Sequence, residues 1–223
     1  MDASALRHLA VIAGDGTGSS GAAPDAVADA LSRAAALATE AFARVPELRA
    51  FSFHAPAIDR LLADPASGPE TLHACVSAAA LLADAAARRG AALRLCGRTE
   101  GLPPELTRHA PQAAAGPADR TLIWFLRYGG RDEIARAASR FLLARPASPL
   151  ADEDLDAWLD TAGVPDPDLI VLAGGPFEAH DTLVWQGSYA ELWHTEKPWP
   201  AFSVEDLGQA ITAFHTRQRR FGG

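Results

Sequence analysis

Short apolar runs alternate along this chain with longer segments in which apolar residues recur at helical spacing. Apolar runs bounded by turn residues predict buried strands, and Ala- and Leu-rich segments with a helical repeat predict helices. The predicted strands are Leu9 to Ala13, Glu47 to His54, Ala92 to Cys96, Arg120 to Leu126, Leu169 to Ala173 and Thr182 to Gln186. The predicted helices are Pro24 to Arg44, Ile58 to Leu62, Glu70 to Arg89, a short one at "PPEL", one after "YGG", Asp152 to Thr161, and a last one from Ser203 to near Arg220. The Trp-rich segment before Ser203 is predicted to be a loop.

This alternation of strands and helices predicts an α/β fold with a mainly parallel sheet covered by helices on both faces. No Pro/Gly/Ser-rich linker divides the 223 residues, so a single domain over residues 1–223 is expected. Ligands of such sheets bind in crevices at the carboxyl ends of the strands. The loops that follow the predicted strands are therefore the first place to look for chemistry.

Composition excludes several classes of function. The formal charge of -8 and the pI near 5.3 disfavour nucleic acid as a partner, because binding a phosphate backbone requires clustered Lys and Arg. No apolar run approaches the roughly 20 residues of a membrane span, so no transmembrane segment is expected. Asp2 and the early first strand leave no room for a secretory signal, which favours a cytoplasmic location. Cys75 and Cys96 match no metal-ligand spacing and are predicted to be buried free thiols.

The turn after the first strand, "GDGTGSSG", has the G-x-G-x-x-G spacing of a dinucleotide loop at Gly16, Gly18 and Gly21. A dinucleotide site also needs an acidic residue at the end of the second strand, where it binds the ribose hydroxyls. His54 and Ala55 stand there instead, which argues against a dinucleotide. A Gly-rich turn whose backbone N–H groups are suited to an anion remains.

Four motifs in the last hundred residues occur in the order of one known family. They are "RYGGRDEIARAA", "LDTAGVPDPDLIV", "LVWQGSYAELWHTEKPWPAFSVEDL" and the terminal "RQRRFGG". With weaker matches at "HLAVIA", "AFSFH" and "GLPPEL", the chain resembles the cis-prenyltransferases of the undecaprenyl diphosphate synthase type. The resemblance implies a six-stranded, mostly parallel sheet, helices around an apolar tunnel, a dimer, and isoprenoid diphosphate chemistry.

The first diphosphate signature of that family, D-G-N-G-R-W-A, is largely replaced. Its aspartate, which in the family organises Mg²⁺ and diphosphate, aligns without gaps with Gly14. Asp15 follows one position late, and Gly18 and Ser19 replace the Arg and Trp of the motif. The opening stretch is therefore interpreted as an eroded diphosphate loop whose glycines imitate a nucleotide motif.

The second signature, R-T-S-G-E-x-R-x-S-N-F, reads "LAGGPFEAHDT" in this chain. Leu172 and Glu178 replace the two arginines, Pro176 the glutamate, and His180 the serine, and Ala55 replaces an asparagine of F-S-T-E-N-W. Arginine clamps phosphate through a planar fork of charged donors, which neither Leu nor Glu provides. Because one Arg becomes Glu, the local charge is expected to repel an allylic diphosphate.

Three features of the family are kept. Glu191 matches its metal-binding glutamate, which implies a weak Mg²⁺ site, with a structural hydrogen-bonding role as the alternative. Arg131 matches a residue at or near the dimer interface, with an ordinary salt bridge at a helix start as the alternative. Arg220 and Gly222 match the terminal R-x-G, which in the family contacts the partner's diphosphate; a basic helix end is the alternative.

Two functions are consistent with these losses and retentions. The first is a non-catalytic subunit, similar in this respect to Nogo-B receptor-type subunits, that forms a heterodimer with an intact cis-prenyltransferase paralogue; a homodimer is the other partner option. The second is a divergent prenyltransferase or isoprenoid cyclase with a rebuilt diphosphate or metal site, for which the candidate residues are Asp15, Glu178, Asp181 and Glu191. A new acid/base group is a further possibility, made of His180, Asp181, His194 and Glu196, and surface positions are the alternative for these four. Binding an isoprenoid without turnover would need only the tunnel.

Overall fold

The computed structural model of the chain describes residues 5–14, 24–108, 119–175 and 181–217, without the side chains at positions 24 and 153. Its six strands form one parallel sheet in the order β3-β4-β2-β1-β5-β6, which confirms the predicted fold class. The strands are β1 His8–Ala13, β2 Ala50–His54, β3 Ala91–Cys96, β4 Arg120–Phe125, β5 Leu169–Ala173 and β6 Glu191–Thr195. The helices are α1 Pro24–Arg44, α2 Pro56–Ala63, α3 Gly68–Ala87, α4 Pro104–Thr107, α5 Gly130–Ala144, α6 Asp152–Leu155 and α7 Val204–Thr216.

The two faces of the sheet are covered by different helices. Alternate residues of β1 point to opposite faces: Leu9 and Val11 belong to the larger apolar core, whereas Ala10 and Ile12 belong to the smaller one. The larger core is completed by α1, α3 and α7, and the smaller one by the segment that leads into α5 and the turn before β6. Both faces of the central strands are therefore buried, as expected for parallel strands.

Helices α1 and α3 pack against each other more extensively than any other pair of described elements. Both contribute buried alanines to the larger core, among them Ala34 and Ala38 of α1 and Ala74 and Ala79 of α3. Small side chains let two helix backbones approach closely and leave little space between them. The two Ala-rich segments of the sequence thus form a pair of closely packed helices over the sheet.

The sixth strand was predicted in the wrong place. Thr182 to Gln186 forms a turn and the start of a 3₁₀ turn, and the strand is Glu191–Thr195, within the segment predicted to be a loop. Leu183 has a φ of 53°, which ends any extended run, and its side chain packs into the smaller core. The side chain of Gln186 is buried, and its Nε2 atom donates hydrogen bonds to Glu133 and Thr161. The apolar run thus packs beneath the sheet instead of joining it.

Several local predictions hold. Ser203 caps α7, because its hydroxyl accepts from the Asp206 N–H at 3.3 Å while the Asp206 carboxylate accepts from the Ser203 N–H at 2.7 Å. Cys75 and Cys96 are buried free thiols, and burial raises the pKa of Cys75 to about 12.

The helix predicted from Asp152 to Thr161 is shorter than expected. It is helical only as far as Trp158, as α6 followed by a 3₁₀ turn. Within the described residues, no helix has the length and apolar character to cross a membrane.

Candidate functional site

The candidate site lies at the carboxyl edge of the sheet, where β1, β2 and β5 end side by side. Ile12 of β1 pairs with His54 of β2 and with Leu172 of β5, so the loops after these strands leave from one place. The Gly14 N–H donates to the Ala173 carbonyl at 2.8 Å. A Cβ atom at position 14 would lie 1.7 Å from the carbonyl oxygen of Gly174, so the two loops approach more closely than any residue except glycine allows.

An apolar pocket opens beside this edge, lined by the ends of β1 and β2, the first turns of α1, the helix α2 and Trp199. Its volume is about 30 Å³, which is roughly the space that one water molecule occupies in the liquid. Trp199 is buried, and its indole N–H has no partner among the described residues. The pocket is therefore narrow and mainly apolar where the described residues line it.

A buried relay of side chains lies at the end of β2. His54 Nε2 lies 2.9 Å from the Asp59 carboxylate, and His54 Nδ1 lies 2.6 Å from the Thr182 hydroxyl. A carboxylate can only accept, so in the neutral ring Nε2 carries the proton and Nδ1 accepts from Thr182. A hydroxyl, an imidazole and a carboxylate in this order also form nucleophilic centres, but Thr182 is only 3% exposed. The relay therefore ties the loop before β6 to β2 and α2.

Asp181 and Arg131, both singled out in the sequence, meet at the start of α5. The Asp181 carbonyl accepts from the Gly130 N–H at 2.6 Å, and its carboxylate accepts from the Arg131 N–H at 3.3 Å. A carboxylate at the N-terminus of a helix is stabilised by the unpaired N–H groups there. A Cβ at Gly129 would lie 2.9 Å from that carboxylate, and one at Gly130 would touch Val184, which explains the Gly-Gly pair. Asp181 thus serves α5, and the Arg131 side chain remains exposed.

Glu191 lies at the opposite edge of the sheet from these loops. It is the first residue of β6 and pairs with Leu169, the first residue of β5. Its carboxylate is 3.4 Å from the guanidinium of Arg217, which follows the last turn of α7. The length of β6 places Glu191 about 13 Å from the carboxyl edge. Among the described residues, no group of three or more His, Cys, Asp or Glu side chains could hold a metal ion. The described residues place Glu191 beside Arg217, and its metal role stays a prediction.

A fully buried carboxylate under α5 was missed by the sequence analysis. Glu133 accepts hydrogen bonds from the Tyr128 hydroxyl, from Gln186 Nε2 at 3.0 Å and from the Asp160 N–H at 2.7 Å. Burial raises the pKa of Glu133, and burial together with the neighbouring Glu133 carboxylate raises the pKa of Tyr128. The signal was present in "YGGRDE", because the glutamate follows the tyrosine by five residues across a Gly-Gly helix start. The cluster fastens α5 to the sheet and to the turn before β6.

The larger part of the chain, including β5 and β6, matches one family. A family model for undecaprenyl diphosphate synthases, a group of prenyltransferases, matches residues 62–222, which is well over half of the chain. The chain belongs to this family. An isoprenyl transferase of Rhodopirellula baltica is 37% identical over 139 residues, which cover 59% of this chain and 57% of the relative. One of Chlamydia trachomatis is 36% identical over 138 residues, covering 58% and 54%. The matched part spans about half the length of these curated relatives.

Two solved structures have the same fold. The lavandulyl diphosphate synthase of Lavandula x intermedia, solved with dimethylallyl diphosphate, superposes with a TM-score of 0.81 at 17% identity and covers 100% of both chains. A probable undecaprenyl diphosphate synthase from Campylobacter jejuni superposes with a TM-score of 0.69 at 23% identity, covering 98% of this chain and 99% of that chain. At such identities the two structures establish the prenyltransferase fold alone.

Several residues singled out by the prenyltransferase resemblance lie outside the described residues: Asp15, Glu178, His180, Arg220 and Gly222. Of the proposed acid/base group, two members can be placed with their partners. Asp181 serves α5, whereas His194 of β6 lies with its Nε2 atom 3.1 Å from the Gly175 carbonyl. Asp181 and His194 therefore engage different elements.

Proposed function

We propose that this chain is a non-catalytic subunit of a heteromeric cis-prenyltransferase. Its partner would be a paralogue that retains the intact D-G-N-G-R-W and R-x-S-G-E-x-R motifs. The partner would hold the isoprenoid diphosphates, and this chain would supply the interface together with Glu191, Arg220 and Gly222. A homodimer in which two such chains exchange these residues is the other arrangement of partners.

The observation that carries this proposal is the position of Glu191 beside Arg217 at the amino edge of the sheet. The diphosphate loops of the same chain leave from the carboxyl edge, about a strand length away. Helix α7 runs back over the sheet and delivers the chain to that amino edge, from which the terminal residues with Arg220 continue. Glu191 is thus better placed to serve a neighbouring subunit than the loops of its own chain.

The carboxyl edge supports the loss of independent catalysis. In the gap-free alignment the family's aspartate falls on Gly14, where even a Cβ atom would collide with the Gly174 carbonyl. The adjacent apolar pocket holds about 30 Å³, and the Ala-rich pair α1 and α3 closes over the sheet behind it. A prenyl chain needs a long apolar channel next to the diphosphate. The narrow pocket among the described residues supports a chain that does not bind such a substrate by itself.

The surface next to Glu191 supports a protein partner. Tyr189 is 88% exposed, Val184 45% and Leu192 38%, and all three belong to β6 or the turn that leads into it. Strand β6 is also an edge strand, whose outer backbone groups are not paired within the sheet. Exposed apolar side chains along a sheet edge are typical of an interaction surface.

One observation favours a second candidate, a divergent prenyltransferase or isoprenoid cyclase that is active by itself. The relatives that are 36–37% identical carry the name isoprenyl transferase. In that case, Asp15 and Glu178, which lie outside the described residues, would belong to a rebuilt diphosphate site together with a shifted loop. The two candidates differ in what the purified chain does without a partner.

The test mixes the purified chain with the intact paralogue and measures incorporation of isopentenyl diphosphate into an allylic diphosphate in the presence of Mg²⁺. The mixture should exceed the paralogue alone. Glu191→Gln and Arg220→Ala should each lower that gain about tenfold, which is the effect expected when one charge-assisted contact is lost. Asp84→Asn, an exposed charge removal on α3, should leave the gain unchanged. A gain that survives both site variants would overturn the proposal.

A further inference from the structure

A second, larger cleft lies away from the candidate site, beside the edge strand β3. It has a volume of about 330 Å³ and is walled by β3 and the residues after it, by α5, and by the segment 157–162. Strand β3 is at the far end of the sheet from β6, with three strands between β3 and β5. This cleft is therefore separate from Glu191, from the loops after β1 and β5, and from the role proposed above.

Three guanidinium groups line the cleft, and two of them donate through only one of their three nitrogens. Arg136 donates through all three, to Asp160 from both terminal nitrogens at 3.0 and 2.6 Å and to Asp132 from Nε at 2.9 Å. Arg94 uses only Nη1, which donates to the Ala162 carbonyl at 2.9 Å. Arg140 uses only Nη2, which donates to the Trp158 carbonyl and to Asp160. Within the described part of the chain, the remaining N–H groups of Arg94 and Arg140 have no partner.

The lining contains two acidic residues, Asp160 and Glu100, against three arginines. The Asp160 carboxylate accepts from Arg136 and Arg140 and also from the Gly97 N–H at 3.1 Å, so its lone pairs are engaged. Glu100, the other acidic residue in the lining, is exposed. The site thus keeps positive charge on Arg94 and Arg140, although the whole chain carries a net charge of -8. A local excess of guanidinium on an acidic protein selects anions.

Apolar side chains complete the wall, namely Leu95, Ala157, Trp158 and Leu159. A volume of about 330 Å³ lies within the usual range of small-molecule sites, and a mixture of apolar wall and a few fixed donors is typical of them. We propose that this cleft binds a small organic anion, with a phosphate or carboxylate head between Arg94 and Arg140 and an apolar body against Trp158. This goes beyond the proposed subunit function and does not depend on it.

The test titrates the full-length chain with phenyl phosphate and with benzoate, and it follows the backbone amide resonances of residues 97–99 and 157–162 by NMR. The two probes distinguish a phosphate head from a carboxylate head, and inorganic phosphate tests the head without the body. At least one aromatic anion should shift these resonances saturably and more strongly than inorganic phosphate does. Benzylamine, which has the same ring and the opposite charge, should leave them unchanged.

Variants assign the effect to the two arginines. Arg94→Gln and Arg140→Gln should each weaken binding about tenfold, whereas Arg94→Lys, which keeps the charge without the planar fork, should weaken it less. Arg88→Gln removes an exposed arginine at the end of α3 and should change nothing. Unshifted amide spectra outside the cleft will show that each variant is folded. Binding that persists in both Gln variants, equal binding of benzylamine, or no saturable shift with either anion would overturn the proposal.

Discussion

Acidification should destabilise this protein through His8, a fully buried residue at the start of β1. His8 Nδ1 lies 2.7 Å from the Pro165 carbonyl, and His8 Nε2 lies 2.6 Å from the Ser52 hydroxyl. A carbonyl can only accept, so Nδ1 carries the proton and Nε2 accepts from Ser52. Burial holds the pKa of His8 at about 4, well below its ordinary value of 6.5, because desolvation disfavours the charged ring.

The magnitude follows from proton linkage. The folded-state pKa is depressed, so the unfolded chain binds the proton more tightly between about pH 6.5 and pH 4. The stability that the neutral ring contributes is fully present above pH 6.5 and is lost as the pH falls toward 4. A difference of 2.5 pH units amounts to about 3 kcal/mol in the free energy of unfolding at pH 4.

The assay is urea unfolding of the wild-type chain and of His8→Gln at several pH values from 7 to 4. Gln keeps a donor and an acceptor but does not titrate, so the stability difference between the two proteins should shrink by about 3 kcal/mol over this range. His73→Gln, at an exposed site on α3, should leave the wild-type pH dependence unchanged. A difference in unfolding free energy between wild type and His8→Gln that stays constant down to pH 4 would refute the claim that His8 is neutral in the folded protein.

Three further substitutions test the carboxyl edge by the same unfolding measurement. Gly14→Ala should destabilise the fold by about 3 kcal/mol because the added Cβ collides with backbone atoms. Gly208→Ala is the control: its Cβ meets only the end of a flexible side chain, so the change should be neutral or stabilising. Equal effects of the two substitutions would contradict the close approach of the two loops. Thr182→Val should cost about 1–3 kcal/mol because His54 loses a buried partner, and no loss would contradict the relay. Asp181→Ala should cost about 1 kcal/mol and Asp181→Asn less, whereas a neutral Ala variant would contradict the role at α5.

Much of the fold could be predicted because three strands, β1, β2 and β5, are buried along their whole length, and β3 and β4 along most of it. A strand such as Leu169–Ala173 reads as a continuous apolar run, and its bounds were predicted from that pattern alone. The sixth strand has partly exposed residues and an edge position, so its pattern is weak. The stronger run at Thr182 to Gln186 was preferred, although it packs under the sheet through Leu183 and Gln186.

The candidate site was less predictable, because its contacts join distant parts of the chain. Arg131 and Asp181 are 50 residues apart, and His54 and Thr182 are 128 apart, so neither contact leaves a local pattern. Glu191 belongs to β6, the strand that was predicted in the wrong place. Its position at the amino edge of the sheet could therefore not be predicted from the sequence. By contrast, the predicted loss of both diphosphate signatures rests on single residue types such as Leu172, which a sequence displays directly.

The most direct test of the subunit proposal is the turnover of the purified chain without any partner. Isopentenyl diphosphate and a series of allylic diphosphates would be incubated with the chain and Mg²⁺, and the products extracted and counted. We expect no product above background from the chain alone, and product when the intact paralogue is added. Sustained multiple turnover by the chain alone would contradict the proposal and would favour an independent prenyltransferase.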